Sequence, residues 1–193
     1  MLVLVRHGRT PYNAARRLLG RIDVPLDELG VRQAAALTDA AALAGVERVI
    51  SSPLVRARAT AEAIGRPIEI DERWTEIDYG IYDGLPLTDV PESVWDKWRT
   101  DQEWAPEGGE SMADMARRVR SALDELWDEA SEHDVAVVSH VSPIKAAIDW
   151  ALGVSLGTPT RMFVATASIS RIGVGRGGPS LHSFNEIHHR PSE

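Results

Sequence analysis

The chain has 193 residues, of which 44% are hydrophobic and 26% charged, a length and balance that suit one globular domain built around a single core. Its 21 Lys and Arg against 29 Asp and Glu give a formal net charge of −8, which disfavours nucleic acid or an anionic membrane as partner and requires any phosphate site to be built from a local group of cations. Cysteine is absent, so disulfides, thiolate catalysis and zinc-thiolate centres are excluded together.

Leu2-Val3-Leu4-Val5 reads as a buried strand running straight into Arg6, His7 and Gly8. Its apolar run is too short for a signal peptide or a membrane span, so a cytoplasmic enzyme is the expectation. The C-terminal end of a strand in an open α/β sheet is where ligands bind. Arg6 there can hold an anion through two parallel hydrogen bonds, His7 can act on it, and Gly8 lets the chain turn closely past it. Alone, the tripeptide reads equally well as a strand end with an incidental Arg-His pair.

Residues 28 to 44 are rich in alanine and leucine and predict a helix closed by Gly45. Val46 to Ser52 predicts a second buried strand, and Pro53 suits the first turn of the helix after it. Arg56 in that turn lies nearest the sheet edge, whereas Arg58 points to another helix face. Pro67 to Ile70 is a third strand, followed by a turn-rich excursion at about 80–110 that carries Trp95, Trp98 and Trp104. At least two of these tryptophans suit a small satellite core. Trp98 or Trp104 is the expected contact to a leaving group, with a lid or specificity pocket as the alternative role of the excursion.

Ser111 is placed to cap a helix with Asp114 in its first turn, and Met112, Met115, Ala116, Val119, Leu123, Leu126 and Trp127 form its apolar stripe. Arg117, Arg118 and Arg120 mostly fall off that stripe and read as a solvated face. Asp134 to Ser139 repeats the opening theme: an apolar strand, then His140, then a proline-started helix running to about Leu152. Residues 164–173 and 180–185 predict two strands joined by a glycine-containing loop that lacks the order of a P-loop.

Arg6-His7-Gly8, Ser51-Ser52-Pro53 with Arg56 and Thr60, Glu76 before Asp78-Tyr79-Gly80, Gly108-Gly109-Glu110-Ser111 and Ser139-His140 occur in that order along nearly the whole chain. The ordered set resembles the histidine phosphatase superfamily, in its phosphoglycerate-mutase-like branch. The resemblance implies a three-layer α/β/α sandwich on a mostly parallel sheet, and a two-step phosphoryl transfer through phosphohistidine with no metal or other cofactor. By resemblance His7 is the nucleophile, its tautomer set by a backbone carbonyl, and Arg6, Arg56 and His140 surround the transferred group. Glu76 is the implied general acid, with Asp78 and Asp83 as competitors. Asn13, Gly20 and the backbone of Val141 match phosphate-binding positions, and Thr10 supports the loop between them. Val141 stands where relatives commonly have glycine, which predicts a narrower pocket beside His140.

The expected substrate is a small phosphomonoester. Ile77 to Val90 contains no Lys or Arg to hold the carboxylate of a mutase substrate, so a phosphatase is expected, similar to the α-ribazole-phosphate and broad-specificity phosphatases. A phosphomutase and a non-catalytic phosphate-binding protein of the same fold are the alternatives. A metal-dependent hydrolase using His182, His188 and His189 has no metal-site spacing behind it. The sequence leaves both a monomer and a homodimer open.

Overall fold

A computed structural model describes residues 1–154 and 161–191. Its six strands are β1 (Leu2–Arg6), β2 (Val46–Ser51), β3 (Ile68–Ile70), β4 (Asp134–Ser139), β5 (Ile169–Gly173) and β6 (Ser180–Glu186), in the spatial order β3-β2-β4-β1-β5-β6. The first four are parallel, and β5 and β6 close the sheet as an antiparallel pair. The helices are α1 (Pro11–Ala14), α2 (Glu28–Ala35), α3 (Val55–Glu62), α4 (Glu92–Thr100), α5 (Met112–Glu132) and α6 (Val141–Leu152).

Alternation along β1 explains the three layers. Leu2 and Leu4 enter one core with Met115, Val119 and Leu123 of α5 and Ile144 and Ile148 of α6. Val3 and Val5 enter the opposite core with Leu37 and with Ala57 and Ala61 of α3. A strand covered on both faces must be apolar throughout, which is why the opening run shows no polar alternation. Ser111 caps α5 as its sequence predicts, its Oγ accepting from the Asp114 N–H at 3.0 Å. Among the described residues no helix is long and apolar enough to cross a membrane.

Four boundaries differ from the sequence expectation. The helix predicted over 28–44 stops at Ala35 and continues as two 3₁₀ turns, Ala36–Asp39 and Ala41–Leu43, separated by an extended Ala40. Leu37, Ala40 and Leu43 all reach the core, and a three-residue spacing is the period of a 3₁₀ turn. α3 begins at Val55, so Pro53 lies ahead of it, while α6 begins at Val141 with Pro143 inside its first turn. The strand predicted from 164 starts only at Ile169, because Ala167 adopts φ +52° and turns its N–H to the His7 carbonyl at 3.0 Å.

Gly8 also makes a close contact within the fold. A Cβ on it would lie 2.5 Å from the Gly30 carbonyl oxygen, and one on Gly30 would lie 1.9 Å from that of Arg9. The two glycines let the loop leaving β1 lie directly on α2.

The excursion carries α4 and a satellite core. Trp98 is buried with Leu18, Val90 and Val94, and meets Tyr79, Tyr82 and Trp104 edge-on. Trp104 packs on Trp98 and under the Lys97 ammonium.

Candidate active site

Three parallel strands deliver the site. Arg6 stands opposite Ser139, and Ser51 opposite Val138, so the residues following β1, β4 and β2 emerge side by side at one sheet edge. His7 and His140 are buried there with ring centroids 5.1 Å apart. His7 Nδ1 lies 2.7 Å from the Gly8 carbonyl oxygen. A carbonyl only accepts, so Nδ1 carries the proton and Nε2 keeps its lone pair. The expected backbone partner is thus the carbonyl of the very next residue. The Gly8 N–H donates to Thr60 Oγ1 at 3.0 Å, and Thr60 donates to the Arg56 carbonyl at 2.7 Å, which ties α3 to the loop that carries His7.

Arg6 Nη1 donates to the Val164 carbonyl at 2.6 Å. Arg56, fully buried, donates through Nη1 to the Ile22 carbonyl at 2.9 Å and through Nη2 to that of Gly20 at 2.7 Å. Arg58 is exposed, as its place on the helix predicts. Burial lowers the Arg6 pKa to about 10, which still leaves a cation at neutral pH. His140 Nε2 lies 2.7 Å from Ser52 Oγ. Nε of Arg6, Nε of Arg56 and Nδ1 of His140 are buried nitrogens without a hydrogen-bond partner among the described residues. Two guanidiniums and an imidazole grouped in this way suit an oxyanion.

Burial, followed by the charges of Arg56 and Arg6, holds the His7 pKa well below its ordinary value, and burial and Arg56 do the same for His140. A lowered pKa keeps the His7 ring neutral, hence nucleophilic, to more acid pH. The acid limb of kcat/KM should therefore lie well below the ordinary histidine midpoint. Arg56→Ala removes one of the charges responsible, so this limb should move upward, while kcat/KM drops by about 10²-fold through the lost charge-assisted bonds. Arg56→Lys keeps the charge and should lose activity without moving the limb. The same ester is used for all three proteins, so its own ionisation cancels. An Arg56→Ala limb at the wild-type position would refute this electrostatic link.

Glu76 is buried, and its charge acts on both Arg6 and Arg56. Its Oε1 accepts from the Ile77 N–H at 2.9 Å and the Ser142 N–H at 3.1 Å, and its Oε2 from the Val141 N–H at 3.1 Å. The carboxyl group thus sits on the N-terminus of α6 and takes up backbone donors that the helix leaves unpaired. Asp78 and Asp83 are occupied elsewhere. Asp78 accepts from the Gly80 N–H at 2.9 Å, and Asp83 accepts from those of Gly20, Arg21 and Ile22 at 2.7, 2.7 and 2.9 Å.

The N–H groups of Gly20 and Val141, both at positions matching phosphate-binding ones, donate in this structure to Asp83 and Glu76. Gly20 serves the site indirectly, through the carbonyl that holds Arg56. Val141 opens α6 in ordinary helical conformation, so a side chain at this position needs no glycine-like backbone. Asn13 and Arg6 both line one cavity. Oδ1 of Asn13 is taken by the N–H and Oγ1 of Thr10, at 3.1 and 3.0 Å, so the amide NH₂ is its donor to any ligand. Thr10 is the N-cap of α1, the supporting role expected of it.

Arg118 is the clearest residue misread from sequence. It is half-buried and not part of a solvated face. It pairs with Glu110 at 2.7 Å and donates to the carbonyls of Arg73 at 2.6 Å and Glu76 at 3.3 Å, fixing the backbone that carries the acid. Its place between Val119 and Arg117 on the stripe's margin was the only signal.

Beside Glu76 opens a cavity of about 390 Å³ whose wall includes Tyr79, Trp95, Trp98, Val141, Ser142 and Lys145. Trp98 therefore reaches both the satellite core and this cavity, while Trp104 is not part of its wall. Of the late histidines, His189 Nε2 lies 2.8 Å from the Ala167 carbonyl and His182 Nε2 3.1 Å from Ser180 Oγ. Among the described residues no group of three or more His, Cys, Asp or Glu is placed to hold a metal ion.

A bifunctional protein of Mycobacterium tuberculosis is 36% identical over 177 residues, covering 88% of this chain and 49% of its own length. The chain thus spans about half the length of that curated relative. The probable phosphoglycerate mutase GpmB of Yersinia pestis is 33% identical over 179 residues, 88% of this chain and 82% of the relative. Among solved structures, a mycobacterial glucosyl-3-phosphoglycerate phosphatase superposes with a TM-score of 0.85 at 30% identity, over 95% of this chain and 98% of that one. Phosphoserine phosphatase of Entamoeba histolytica, in complex with 3-phosphoglyceric acid, does so with 0.88 at 25% identity, over 98% of each chain. The sequence profile of the histidine phosphatase superfamily (branch 1) matches residues 2–187, and with the paired histidines and arginines at the sheet edge this chain belongs to that superfamily.

Proposed function

We propose that the protein is a metal-independent phosphomonoesterase that hydrolyses a small phosphorylated metabolite through a phosphohistidine on His7. The observation that carries this reading is the buried His7 ring, with Nδ1 tied to the Gly8 carbonyl, which leaves the lone pair on Nε2, and with burial and the charges of Arg56 and Arg6 lowering its pKa. In the first step the Nε2 lone pair attacks phosphorus, the ester P–O bond breaks, and Glu76 gives a proton to the departing oxygen. Arg6, Arg56, His140 and the Asn13 amide spread the charge on the phosphoryl oxygens, which is most of what phosphoryl transfer asks of a protein. In the second step water attacks the phosphohistidine, Glu76 takes its proton, and the P–N bond breaks to release inorganic phosphate. The substrate is met in the cytoplasm.

Phosphomutase is the second reading, supported by the likeness to GpmB. It differs in the fate of the phosphohistidine, which a mutase returns to a bound alcohol. The test is release of inorganic phosphate from a panel of phosphomonoesters in excess chelator, with 3-phosphoglycerate followed by ³¹P NMR for interconversion with its 2-isomer. Chelator-resistant phosphate release is the expected result. Isomerisation outpacing phosphate release would establish the mutase, and loss of all activity in chelator would overturn the metal-free mechanism.

A further inference from the structure

An oxygen protonated by Glu76 carries its substituent past the residues that hold Glu76. Those residues, Val141 and Ser142, form part of the wall of the 390 Å³ cavity. Tyr79 links the two regions, since it shares the cavity wall with Val141 and Ser142. Most of the remaining wall is apolar, with Trp95, Trp98, Met112 and Met115. A volume of this size falls at the lower end of the range typical of small-molecule sites, roughly 300–1,000 Å³.

Lys145 is one of two cations in that wall. It lies one helical turn after Val141 on the same face of α6 and is half-buried. Among the described residues it forms no ion pair and no side-chain hydrogen bond; the charge of Glu76, and less strongly that of Asp149 a turn further on, attracts it without closing on it, while Arg6 repels it. The other cation of the wall, Arg99, is already paired with Glu92 at 2.6 Å and with Asp96. An ammonium set among aromatic and thioether side chains has lost part of its hydration, and an anionic ligand group restores what it lost.

We propose that this cavity is the leaving-group pocket and that it selects phosphate monoesters of a ring-sized, apolar alcohol bearing a carboxylate, which Lys145 meets. The ring packs edge-on or offset against Trp95 and Trp98, the ester oxygen faces Glu76, and the carboxylate reaches the ammonium. Lys145 is a specificity residue here and takes no part in the transfer itself. The inference rests on the phosphatase reading for its orientation, because Glu76 defines where the leaving oxygen stands.

The test compares phenyl phosphate with 3- and 4-carboxyphenyl phosphate. KM is measured on the wild type, Lys145→Met and Lys145→Arg, and the dissociation constants of the same esters are measured by calorimetry on the non-reacting His7→Ala variant with and without Lys145→Met. The wild type should favour a carboxyphenyl ester over phenyl phosphate by about tenfold in KM, Lys145→Met should bring that ratio to about one, and Lys145→Arg should keep it. The same ratios are expected in the binding constants. Equal KM for the esters in the wild type, or a ratio untouched by Lys145→Met, would overturn the pocket while leaving the phosphatase intact. Preferential, Lys145-dependent binding without any turnover by the wild type would do the reverse, supporting the pocket and removing the phosphatase.

Discussion

Replacing His7 by alanine is expected to lower kcat by about 10⁴-fold or more, because the substitution removes the nucleophile that splits the reaction into two steps and leaves only the binding groups. The fold should tolerate it. The side chain makes its hydrogen bond to the neighbouring carbonyl of Gly8, while the main chain of residue 7 keeps its bonds to Ser139 and Ala167. Phosphate affinity should persist, since Arg6, Arg56 and His140 are unchanged. Three measurements together decide the point: turnover, thermal stability, and phosphoenzyme trapped from a labelled ester under alkaline quench, where a phosphoramidate survives. Wild type should yield phosphoenzyme on the millisecond scale and His7→Ala none. A stably folded His7→Ala that retains wild-type turnover would end the phosphohistidine mechanism.

The parts of this site that were legible in the sequence share one property: strand geometry carries them. A buried strand has a defined end, so Arg6-His7 and Ser139-His140 could be placed at one sheet edge from hydrophobic pattern alone. Arg56 followed from its position in the first turn of a helix starting at that edge. Backbone hydrogen bonds made by side chains carry no such period. Nothing in the spacing of Asp83 shows that it gathers the N–H groups of Gly20, Arg21 and Ile22, so the way Gly20 is held could not be read from sequence.

Arg118 and Lys145 illustrate a second limit. Both are basic residues on helices, and sequence assigns such residues to solvent by default. Arg118 is drawn inward by the Glu76 and Arg73 carbonyls, and Lys145 by the apolar wall around it, neither of which is local in sequence. The helix over 28–44 failed for the opposite reason. Alanine-rich composition favours an α-helix, but burying Leu37, Ala40 and Leu43 together requires a shorter period, and packing prevailed over propensity.

Glu76→Gln should separate the two roles given to this carboxyl group. A general acid contributes about 10²–10⁴-fold, and less of it is needed when the leaving group departs well unaided. Because kcat/KM reports steps up to formation of the phosphohistidine, it should fall steeply for an alkyl phosphate and only about tenfold or less for 4-nitrophenyl phosphate. The second step has no leaving alcohol, so the loss of Glu76 as base for the attacking water should lower kcat to one common value for those esters whose first step stays faster than the second. With 4-nitrophenyl phosphate this produces a burst of nitrophenol equal to the enzyme present, followed by slow turnover. The amide NH₂ would face an N–H of Val141 or Ser142 where a carboxylate oxygen now accepts, so a small loss of thermal stability accompanies the change without explaining a dependence on leaving group. Equal losses of kcat/KM for alkyl and aryl esters, with no burst, would mean that Glu76 only orders the start of α6, and that the proton reaches the leaving oxygen from elsewhere.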